Sequence, residues 1–444
     1  MSKLVRAVQA AGVVGAGGGG FPTHVKLAAR VDTVIANGVE CEPLVYSDRQ
    51  LLAADPESVL RGLRLAMAAT GASRGIVAVK EEAQQALRAL AAALGAGDGI
   101  ELATVGNHYP AGDEFVLVQS LTARSVPEGG LPLEVGVLVH NVATLSQVAA
   151  AQDGEPVTWR YLTVSGEVGR PCTLRVPLGT PVRQVLAWAG GTTRPLEELA
   201  VVAGGAMMGR LVGHEAPTTK TMGALLVLPQ RSPVVQMLAR SLPVILRRGR
   251  SACDQCRDCT DLCPRYLLGH ALRPHEIMRS INYGLDGPTA VVTAAVLCSE
   301  CRLCEAYACP LELSPMAYYR ACKAELRRLG WQNDVHRRMG LTPLAEQTHR
   351  RVPVHRLIDR LGLATYAGRP LVADESEQRP ESVHILLRQH AGAAAVPVVR
   401  QGQRVRRGDV VGEIPQGQLG ARVHASIDGV VAGLAAEAVT IRGE

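Results

Sequence analysis

Eight cysteines in two short runs are the residues of this 444-residue chain best suited to chemistry. The runs are Cys253-x2-Cys256-x2-Cys259-x3-Cys263-Pro264 and Cys298-x2-Cys301-x2-Cys304-x4-Cys309-Pro310. Three thiolates at this spacing wrap one iron–sulfur cubane, because the loop brings each sulfur to a different iron. Structural zinc sites favour two separated cysteine pairs per metal, which these compact runs do not provide. The runs therefore predict two [4Fe–4S] clusters and an electron-transfer function.

The fourth cysteine of each run leaves one question open. In two-cluster ferredoxins, this cysteine serves the cluster of the other run. By that rule the two ligand sets are Cys253, Cys256, Cys259 and Cys309, and Cys263, Cys298, Cys301 and Cys304. The sequence does not decide which cluster Cys263 and Cys309 each serve. The isolated Cys41, Cys172 and Cys322 are interpreted as small buried hydrophobic residues.

A glycine-rich loop near the N-terminus is the second candidate site. It reads GAGGGGFPT from Gly15 and is followed by Lys26. Such a loop exposes backbone N–H groups to a phosphate, and a lysine adds positive charge. A flexible turn is the alternative interpretation. The loop is not a standard dinucleotide fingerprint, because no strand clearly precedes it.

Composition narrows the classes of function. With 47% apolar and 20% charged residues the chain is typical of globular proteins, and its length suggests three or four domains. Aromatic residues make up only 3%, which argues against a base-stacking nucleic-acid surface. No apolar run is long enough for a transmembrane segment, and no secretory signal is visible, so we expect a cytoplasmic protein. Eleven cysteines then indicate metal binding rather than disulfides.

The net charge of +6 is unevenly distributed. Arginines cluster on either side of the cysteine runs, at Arg247, Arg248, Arg250, Arg327, Arg328, Arg337, Arg338, Arg350 and Arg351. These arginines form either a solvated helix face or a landing surface for an acidic electron-transfer partner.

Strands and helices must position the candidate site residues. Their sequence patterns predict a multidomain α/β and α+β protein. Residues 1–155 alternate strands (Val34–Ala36, Gly75–Lys80, Glu101–Val105) with helices such as Glu81–Leu94, which indicates a mostly parallel sheet. Residues 156–231 contain two β-rich runs and a short helix. Residues 232–345 are mainly helical and carry the cysteines. Residues 346–380 are predicted to be a linker, and residues 381–444 contain short strands separated by glycines.

Four motifs occur in a fixed order in the first domain. They are GAGGGGFPTHVKL from Gly15, NGVECEPLVYSDRQLL from Asn37, YPAGDEFVL from Tyr109 and HNVATL from His140. This order resembles the FMN- and NADH-binding domain of the flavin subunit of NADH–quinone oxidoreductase. It is still more similar to the RnfC subunit of the Rnf electron-transport complex. The resemblance implies a Rossmann-like FMN/NADH-binding domain over residues 1–155.

The resemblance also implies the binding residues. Those expected to contact FMN or NADH are Gly15, Gly17, Gly18, Lys26, Asn37, Glu40, Glu42, Tyr109, Gly112, Asp113, Glu114, Asn141 and Thr144. Glu42 and Glu114 are the expected catalytic residues, beside the site of hydride transfer. The chain departs from the flavin subunit at Ala29, Val39, Asp113 and His140. Two of these changes remove an adenine-clamping aromatic and an acid, which motivates an alternative in which the chain is a non-catalytic electron-wiring module.

The remaining domains also resemble known modules. Residues 156–231 are similar to a soluble-ligand-binding β-grasp (SLBB) domain. Its glycine turn at 204–209 would contact a corrinoid or partner, or would serve only as a spacer. Residues 232–345 resemble a helical ferredoxin-like domain. Residues 381–444 resemble a barrel-sandwich domain of the lipoyl type. The last lysine of the chain is Lys323, so no cofactor can be tethered to a lysine of that domain. His424, beside Asp428, is either a ligand or a packed, hydrogen-bonded residue.

The order of the modules resembles the cobalamin-reductase family of propanediol-utilisation microcompartments. That family implies NADH-dependent reduction of cob(III)alamin and cob(II)alamin through FMN and two clusters, in support of an adenosylcobalamin-dependent diol dehydratase. A corrinoid-handling enzyme such as an adenosyltransferase, and a microcompartment shell protein, are the implied partners. Encapsulation in a bacterial microcompartment is left open. The main alternative is the peripheral NADH-oxidising RnfC subunit of an Rnf-type ion-translocating complex, but the barrel-like segment of the Rnf subunit lies ahead of its glycine loop.

Overall fold

The computed structural model describes residues 2–443 except residues 96, 98, 285–288 and 370. Its elements group into a helix-flanked parallel sheet, a mixed sheet, a helical segment and two small antiparallel sheets. Within the described ranges, no helix combines the length and apolar character that crossing a membrane requires.

The first module is a parallel sheet with the strand order β3-β2-β1-β5. Its strands are β1 Thr33–Gly38, β2 Arg74–Lys80, β3 Ile100–Val105 and β5 Val137–Asn141, and a short β4, His108–Tyr109, lies outside this sheet. Its helices are α1 Lys3–Ala10, α2 Thr23–Lys26, α3 Ser47–Ala54, α4 Pro56–Thr70, α5 Gln84–Ala93, α6 Glu114–Thr122 and α7 Val142–Gln152. The predicted strands and parallel pairing are confirmed, and the predicted helix at 81–94 is confirmed as α5.

Both faces of this sheet are buried, because successive side chains of a strand point to opposite sides. Val34 and Ala36 enter a core with α4 and α7, whereas Ile35 enters a second core with α6. Helix α4 crosses α7 closely at Gly62, where a Cβ atom would lie 1.9 Å from the Leu145 carbonyl oxygen. This packing holds the N-terminus of α7 at the carboxyl edge of the sheet.

The second module is a six-stranded mixed sheet with the order β12-β7-β6-β10-β8-β9. Its own elements are β6 Trp159–Gly166, β7 Cys172–Pro177, α8 Val182–Trp188, β8 Leu199–Ala203, β9 Arg210–Val212 and β10 Ala224–Pro229. The predicted pair of β-rich runs and the short helix are confirmed by β6, β7 and α8.

The third module is helical. Its helices are α9 Pro233–Ala239, α10 Leu242–Ala252, α11 Asp258–Asp261, α12 Pro264–Leu267, α13 Pro274–Tyr283, α14 Thr289–Thr293 and α15 Pro315–Arg328. The short helices α11 and α12 lie within and directly after the first cysteine run, where Pro264 occupies the first position of α12.

Residues 346–380, predicted to be a linker, are attached to two other modules. They contain β11 Val352–Pro353, α16 Val354–Arg360 and β12 Val372–Asp374. Strand β11 pairs with β4 of the first module, and β12 pairs in parallel with β7 of the second.

The last module packs two antiparallel sheets around one core. Its strands are β13 Ser382–Leu386, β14 Val396–Pro397, β15 Arg404–Val405, β16 Val410–Glu413, β17 Val423–His424, β18 Gly429–Leu434 and β19 Ala438–Gly443. His424 is buried in this module, and burial lowers its pKa to about 3, so it is neutral at physiological pH.

Lys220 joins three modules at one buried point. It is 1% exposed, and its Nζ donates to the carbonyl oxygens of Gly12 (2.7 Å) and Arg422 (2.6 Å). Both acceptors are neutral carbonyls, so burial is not offset by an ion pair and lowers the pKa of Lys220 to about 7. The last module is thereby fixed against the N-terminal segment, next to the glycine loop.

We predict that Lys220 makes stability depend on pH. The pKa of a lysine in an unfolded chain is about 10.4, and the pKa of Lys220 in the folded protein is about 7. Between these values the unfolded chain binds the extra proton, so the free energy of unfolding rises with pH. The melting temperature of the wild type minus that of Lys220→Met should therefore increase between pH 7 and pH 9, as measured by calorimetry. Lys3→Met, which changes an exposed lysine, is the control, and a pH-independent difference for Lys220→Met would contradict the prediction.

Candidate functional site

The glycine-rich loop lies against the N-terminus of α7. The loop is closed by hydrogen bonds from the Gly15 amide to the Phe21 carbonyl (2.9 Å) and from the Gly20 amide to the Gly15 carbonyl (3.0 Å). The Ala16 amide donates to Thr144 Oγ1 in the first turn of α7 (2.9 Å). A Cβ on Gly18 would meet no atom within 4 Å, so the tip of the loop lines open space. Loop amides and the positive end of an eleven-residue helix together favour a bound anion.

The loop lies where the strand order of the sheet reverses. Strands β1 and β5 are neighbours, and Asn37 is aligned with Asn141 at their carboxyl ends. Asn37 Nδ2 donates to the Gly112 carbonyl (2.9 Å), which fixes the 109–114 segment against the end of β1. Ligands of open α/β sheets bind in the crevice at such a reversal. The other three sequence motifs therefore converge with the glycine loop on one crevice.

Lys26 supplies the positive charge of this crevice. Its Nζ donates to Glu114 Oε1 (3.0 Å) and to the Val139 carbonyl (3.2 Å). His140 follows Val139, and burial, reinforced by the charge of Lys26, lowers its pKa to about 3. His140 is therefore neutral, and Lys26 is the residue that can balance a phosphate charge.

A buried polar cluster lies behind the crevice. Glu40 Oε1 accepts from Ser47 Oγ (2.9 Å) and from the Asp48 amide (3.2 Å), and Asn141 Nδ2 donates to Asp48 Oδ2 (2.5 Å). Burial, and then the charge of Glu40, raises the pKa of Asp48, whereas the buried guanidinium of Arg160 opposes this rise. Two members of this cluster were not among the predicted site residues. Asp48 lies inside the second motif, and Arg160 comes from the second module.

Unpaired buried atoms indicate that the crevice fits a polar ligand. Thr23 Oγ1, Glu40 Oε2 and His140 Nε2 are buried and have no hydrogen-bond partner among the described residues. Buried polar atoms are normally paired, so three such atoms in the loop and at the strand ends require an explanation. A bound flavin mononucleotide would supply polar partners, and its phosphate fits the anion site formed by the glycine loop and α7.

The two cysteine runs share one backbone pattern. Gln255 and Arg257 in the first run have φ of +62° and +74°, and the equivalent Glu300 and Arg302 in the second have +60° and +64°. Residues other than glycine rarely adopt this left-handed conformation, and it clusters at ligand sites. Its repetition shows that each run curls in the same way to bring successive sulfurs together.

The structure brings the eight cysteines into two groups. One pocket is lined by Cys253, Cys256, Cys259 and Cys309, and we call these the outer set. Burial and then the neighbouring thiols of Cys301 and Cys298 raise the pKa of Cys263; burial and then Cys298 and Cys301, followed by Cys259 of the outer set, raise that of Cys304, so the two groups are adjacent. These four form the inner set. The groups correspond to the crossed assignment of Cys263 and Cys309.

The chemistry of the thiols fits iron–sulfur clusters. Burial, followed by the nearby Cys309, raises the pKa of Cys259 to about 12, so a bound cation is needed to hold such thiols as thiolates. Within the described residues, no three His, Cys, Asp or Glu side chains converge closely enough to share one metal ion. In a cubane each cysteine binds a different iron, so the sulfurs need not converge on one point.

Direct contacts join the crevice that fits FMN to the inner set. The Tyr109 hydroxyl donates to the Cys301 carbonyl (2.8 Å). Asp113 forms a buried ion pair with Arg265 (2.7 Å), and the Arg265 guanidinium lies 3.7 Å from the Phe115 ring centroid. Tyr109 and Asp113, which the sequence assigned to cofactor binding, thus also attach the first module to the cysteine module. Sequence reasoning missed Arg265, which lies two residues after Cys263.

The two predicted catalytic carboxylates have different surroundings. Glu114 is paired with Lys26, and 42% of its side chain is exposed. Glu42 accepts from the amides of Met207 (2.9 Å) and Met208 (2.7 Å) in the glycine turn of the second module. Burial raises the pKa of Glu42 to about 7 against the effect of these two hydrogen bonds. Arg302 Nε donates to the Met207 carbonyl (2.7 Å), so this turn connects Glu42 to the second cysteine run.

Four family profiles match consecutive parts of the chain. They describe a Nuo51 FMN-binding domain (residues 8–150), an SLBB domain (161–211), a 4Fe-4S dicluster domain (252–314) and an RnfC barrel sandwich hybrid domain (374–443). These matches confirm the predicted fold class and its four kinds of module.

Two curated relatives cover nearly the whole chain. The cobalamin reductases PduS of Citrobacter freundii and Salmonella typhimurium are each 46% identical, over 98% of this chain and 95% of the relative. One subunit of the Na(+)-translocating ferredoxin:NAD(+) oxidoreductase complex of Acetobacterium woodii is 36% identical over 58% of this chain and 56% of its own length. A solved NAD+-reducing [NiFe]-hydrogenase in the H2-reduced state covers 75% of this chain and 63% of its own, at 24% identity and a TM-score of 0.48.

We predict that Lys26→Met weakens FMN binding by about tenfold, because a charge-assisted hydrogen bond contributes about 1.5–3 kcal/mol when buried and less in a partly exposed site. Fluorescence quenching of FMN, titrated with the reconstituted protein, measures the dissociation constant. The control Lys3→Met removes an exposed lysine of α1 and should leave it unchanged. Equal affinities for wild type and Lys26→Met would remove Lys26 from the phosphate site.

We also predict which cysteines share a cluster. After anaerobic reconstitution the wild type should contain about eight irons, as expected for two four-iron clusters. Cys256→Ala and Cys309→Ala should perturb the same electron paramagnetic resonance signal, whereas Cys263→Ala and Cys301→Ala should perturb the other. Cys322→Ala is the matched control and should retain both signals. If Cys309→Ala instead perturbs the signal affected by Cys301→Ala, the crossed assignment is wrong.

Proposed function

The chain belongs to the family of the cobalamin reductase PduS, and we propose that it is an NADH-dependent flavin and iron–sulfur enzyme that reduces a corrinoid. The chain is an oxidoreductase with flavin and iron–sulfur domains. One structural observation supports an electron path: the Tyr109 hydroxyl donates to the Cys301 carbonyl, so the flavin domain contacts the second cysteine run.

The crevice residues have separate tasks in this proposal. The amides of Gly17 and Gly18 and the N-terminus of α7 hold the FMN phosphate, with Lys26 balancing its charge, while Gly15 keeps the loop closed through its bond to the Phe21 carbonyl. A bound FMN accepts a hydride from NADH and releases electrons singly, while cysteine-ligated clusters carry single electrons. Asn37 keeps the 109–114 segment against β1 through its bond to Gly112, and Asn141 fixes the entry to α7 through its bond to Asp48.

The two carboxylates are proposed to act differently. Glu114 is exposed enough to meet a nicotinamide nucleotide, and its ion pair with Lys26 links the nucleotide and phosphate ends of the crevice. Glu42 has both oxygens engaged by the Met207 and Met208 amides, so its position is set by the second module. We therefore assign Glu42 to positioning the second module, and its pKa of about 7 makes this joint sensitive to protonation.

The corrinoid is proposed to approach the second module. Its glycine turn at 204–209 presents Met208, which is 58% exposed, while Met207 is fully buried. An exposed apolar side chain beside the Glu42 joint offers a contact for a macrocycle or for the enzyme that delivers it. A corrinoid-handling enzyme such as an adenosyltransferase is the partner class that this role requires, in the cytoplasm or within a microcompartment.

Anaerobic rapid mixing tests the proposed activity. Reconstituted protein mixed with NADH should lose flavin absorbance first and cluster absorbance second, and should then convert cob(III)alamin to cob(II)alamin and further. Cys301→Ala should keep the flavin phase but slow corrinoid reduction by at least about tenfold, because an inner-set ligand is lost. Cys322→Ala is the control and should follow the wild type.

Two outcomes would contradict the proposal. If the flavin stays oxidised at saturating NADH but is reduced by dithionite, the chain is an electron-wiring module without NADH oxidation. If the flavin and clusters are reduced by NADH but neither cobalamin state is consumed, the corrinoid step is wrong and the substrate is another acceptor.

A further inference from the structure

We infer that helix α10 and the outer cysteine run form a docking surface for an acidic redox protein, an inference that rests on the proposed electron-transfer function. We call it the α10 surface, and its residues are Pro243, Val244, Leu246, Arg247, Arg250, Ser251 and Cys256. The inference depends on the exposure of the outer set, the unsatisfied outer face of α10 and the charges on it.

The outer set is the one that reaches the protein surface. Cys256 is exposed, whereas Cys263 and Cys304 of the inner set are buried. The inner set instead contacts the flavin domain, through the Cys301 carbonyl. A group held by the outer set would therefore lie on the side of a protein partner, and a group held by the inner set on the side of the flavin.

Helix α10 leads directly into this exposed site, because it ends at Ala252, next to Cys253. Its inner face is tightly packed: Ile245 is buried, and a Cβ on Gly249 would lie 2.1 Å from the Tyr318 hydroxyl oxygen. The outer face keeps a large apolar side chain in solvent, since Val244, one turn before Arg247, is 44% exposed. A packed helix that leads into a redox site and keeps an apolar side chain and arginines exposed has the composition of an interface.

The charges on this face indicate an acidic partner. Arg247 and Arg250 are exposed, line one hollow with Pro243 and Leu246, and have no carboxylate within 4.0 Å among the residues described. Nearby arginines differ, because Arg240 is paired with Glu312 (3.7 Å) and Arg257 with Asp261 (3.7 Å). Asp254 and Asp258 flank Cys256 and oppose an acidic partner locally, so the attraction must come from α10.

An acidic protein explains this surface better than an anionic membrane does. Arg247 and Arg250 are too few for firm attachment to lipid, which takes a larger cluster of basic residues. For a redox protein the same charges steer the encounter, and Val244, on the same face as Arg247, offers an apolar contact.

Binding to an acidic plant-type [2Fe–2S] ferredoxin, used as a probe, tests the surface. The dissociation constant for the reconstituted holoprotein is measured anaerobically by isothermal titration calorimetry at 20 and 200 mM NaCl. Wild type should bind at 20 mM and weaken with salt. Arg247→Glu/Arg250→Glu should weaken binding at least about tenfold at 20 mM, and Val244→Ser should weaken it at both salt concentrations.

The matched control is Arg400→Glu/Arg406→Glu, which makes the same charge change at two exposed arginines of the last module. It should bind like the wild type. Equal weakening by both arginine double variants would show a non-specific charge effect and overturn the inference, as would the absence of binding by the wild type. Binding of the wild type to phosphatidylglycerol vesicles but not to ferredoxin would overturn it in favour of a membrane surface.

Two further measurements separate this inference from the proposed function. Iron content and visible spectrum should be unchanged in all three variants, which shows that the clusters and fold are intact. NADH-driven reduction of ferricyanide, a small acceptor that needs no docking surface, should also persist. Loss of ferredoxin binding with intact NADH oxidation concerns the α10 surface alone. Failure of NADH oxidation in the wild type, with ferredoxin binding retained, contradicts the proposed function alone.

Discussion

The joint between the first module and the second cysteine run is the constraint on which the rest of the molecule depends. A redox chain works only if its modules are held in fixed contact, and here a partly buried hydrogen bond from Tyr109 to the Cys301 carbonyl provides that contact. The same interface contains a shared apolar core with Leu44, Val202 and Leu303, one residue from each of three modules. Because a buried polar group without a partner is costly, the hydrogen bonds of Tyr109 and Glu42 allow only a narrow range of docking positions. Stability and cofactor spacing are therefore set by the same contacts.

The two cysteine runs show how one motif acquires two environments. Their backbones repeat the same left-handed residues, yet the outer set opens to solvent at Cys256 while the inner set is covered by the flavin and β-grasp modules. Solvent exposure and hydrogen bonds to sulfur tune the reduction potential of a cluster. The difference in burial alone is therefore expected to give the two clusters different reduction potentials. The buried Tyr319 is close to both sets, since thiols of both, Cys263 and Cys259 among them, raise its pKa after burial. The two cysteine runs share a backbone pattern, but their different surroundings turn one toward the flavin domain and the other toward solvent.

Local sequence was enough for the elements and motifs but not for the joints. The spacing of the cysteines predicted two curled loops, and the alternation of apolar runs predicted the parallel sheet, because both signals lie within a few residues of one another. Glu42 contacts Met207 across 165 positions and Arg265 contacts Asp113 across 152, so no periodicity could reveal them. The predicted linker shows the same limit: β11 and β12 are too short to produce a pattern and form only by pairing with distant strands. The sequence could not predict which residues of different modules contact one another.

The last module shows that spatial neighbourhood matters more than chain order. Although it follows the cysteine module in sequence, its Ala391 amide donates to the Gly20 carbonyl (2.9 Å), and its Arg422 carbonyl shares Lys220 with Gly12. A Cβ on Gly20 would come within 3.2 Å of the His390 Cα atom, so the end of the glycine loop is shaped by this distant module. Conformational freedom in a glycine-rich loop opposes ligand binding, because ordering the loop costs entropy. By holding both flanks of the loop, the barrel-sandwich module lowers that cost, which gives it a structural role at the flavin crevice without a lysine-tethered cofactor.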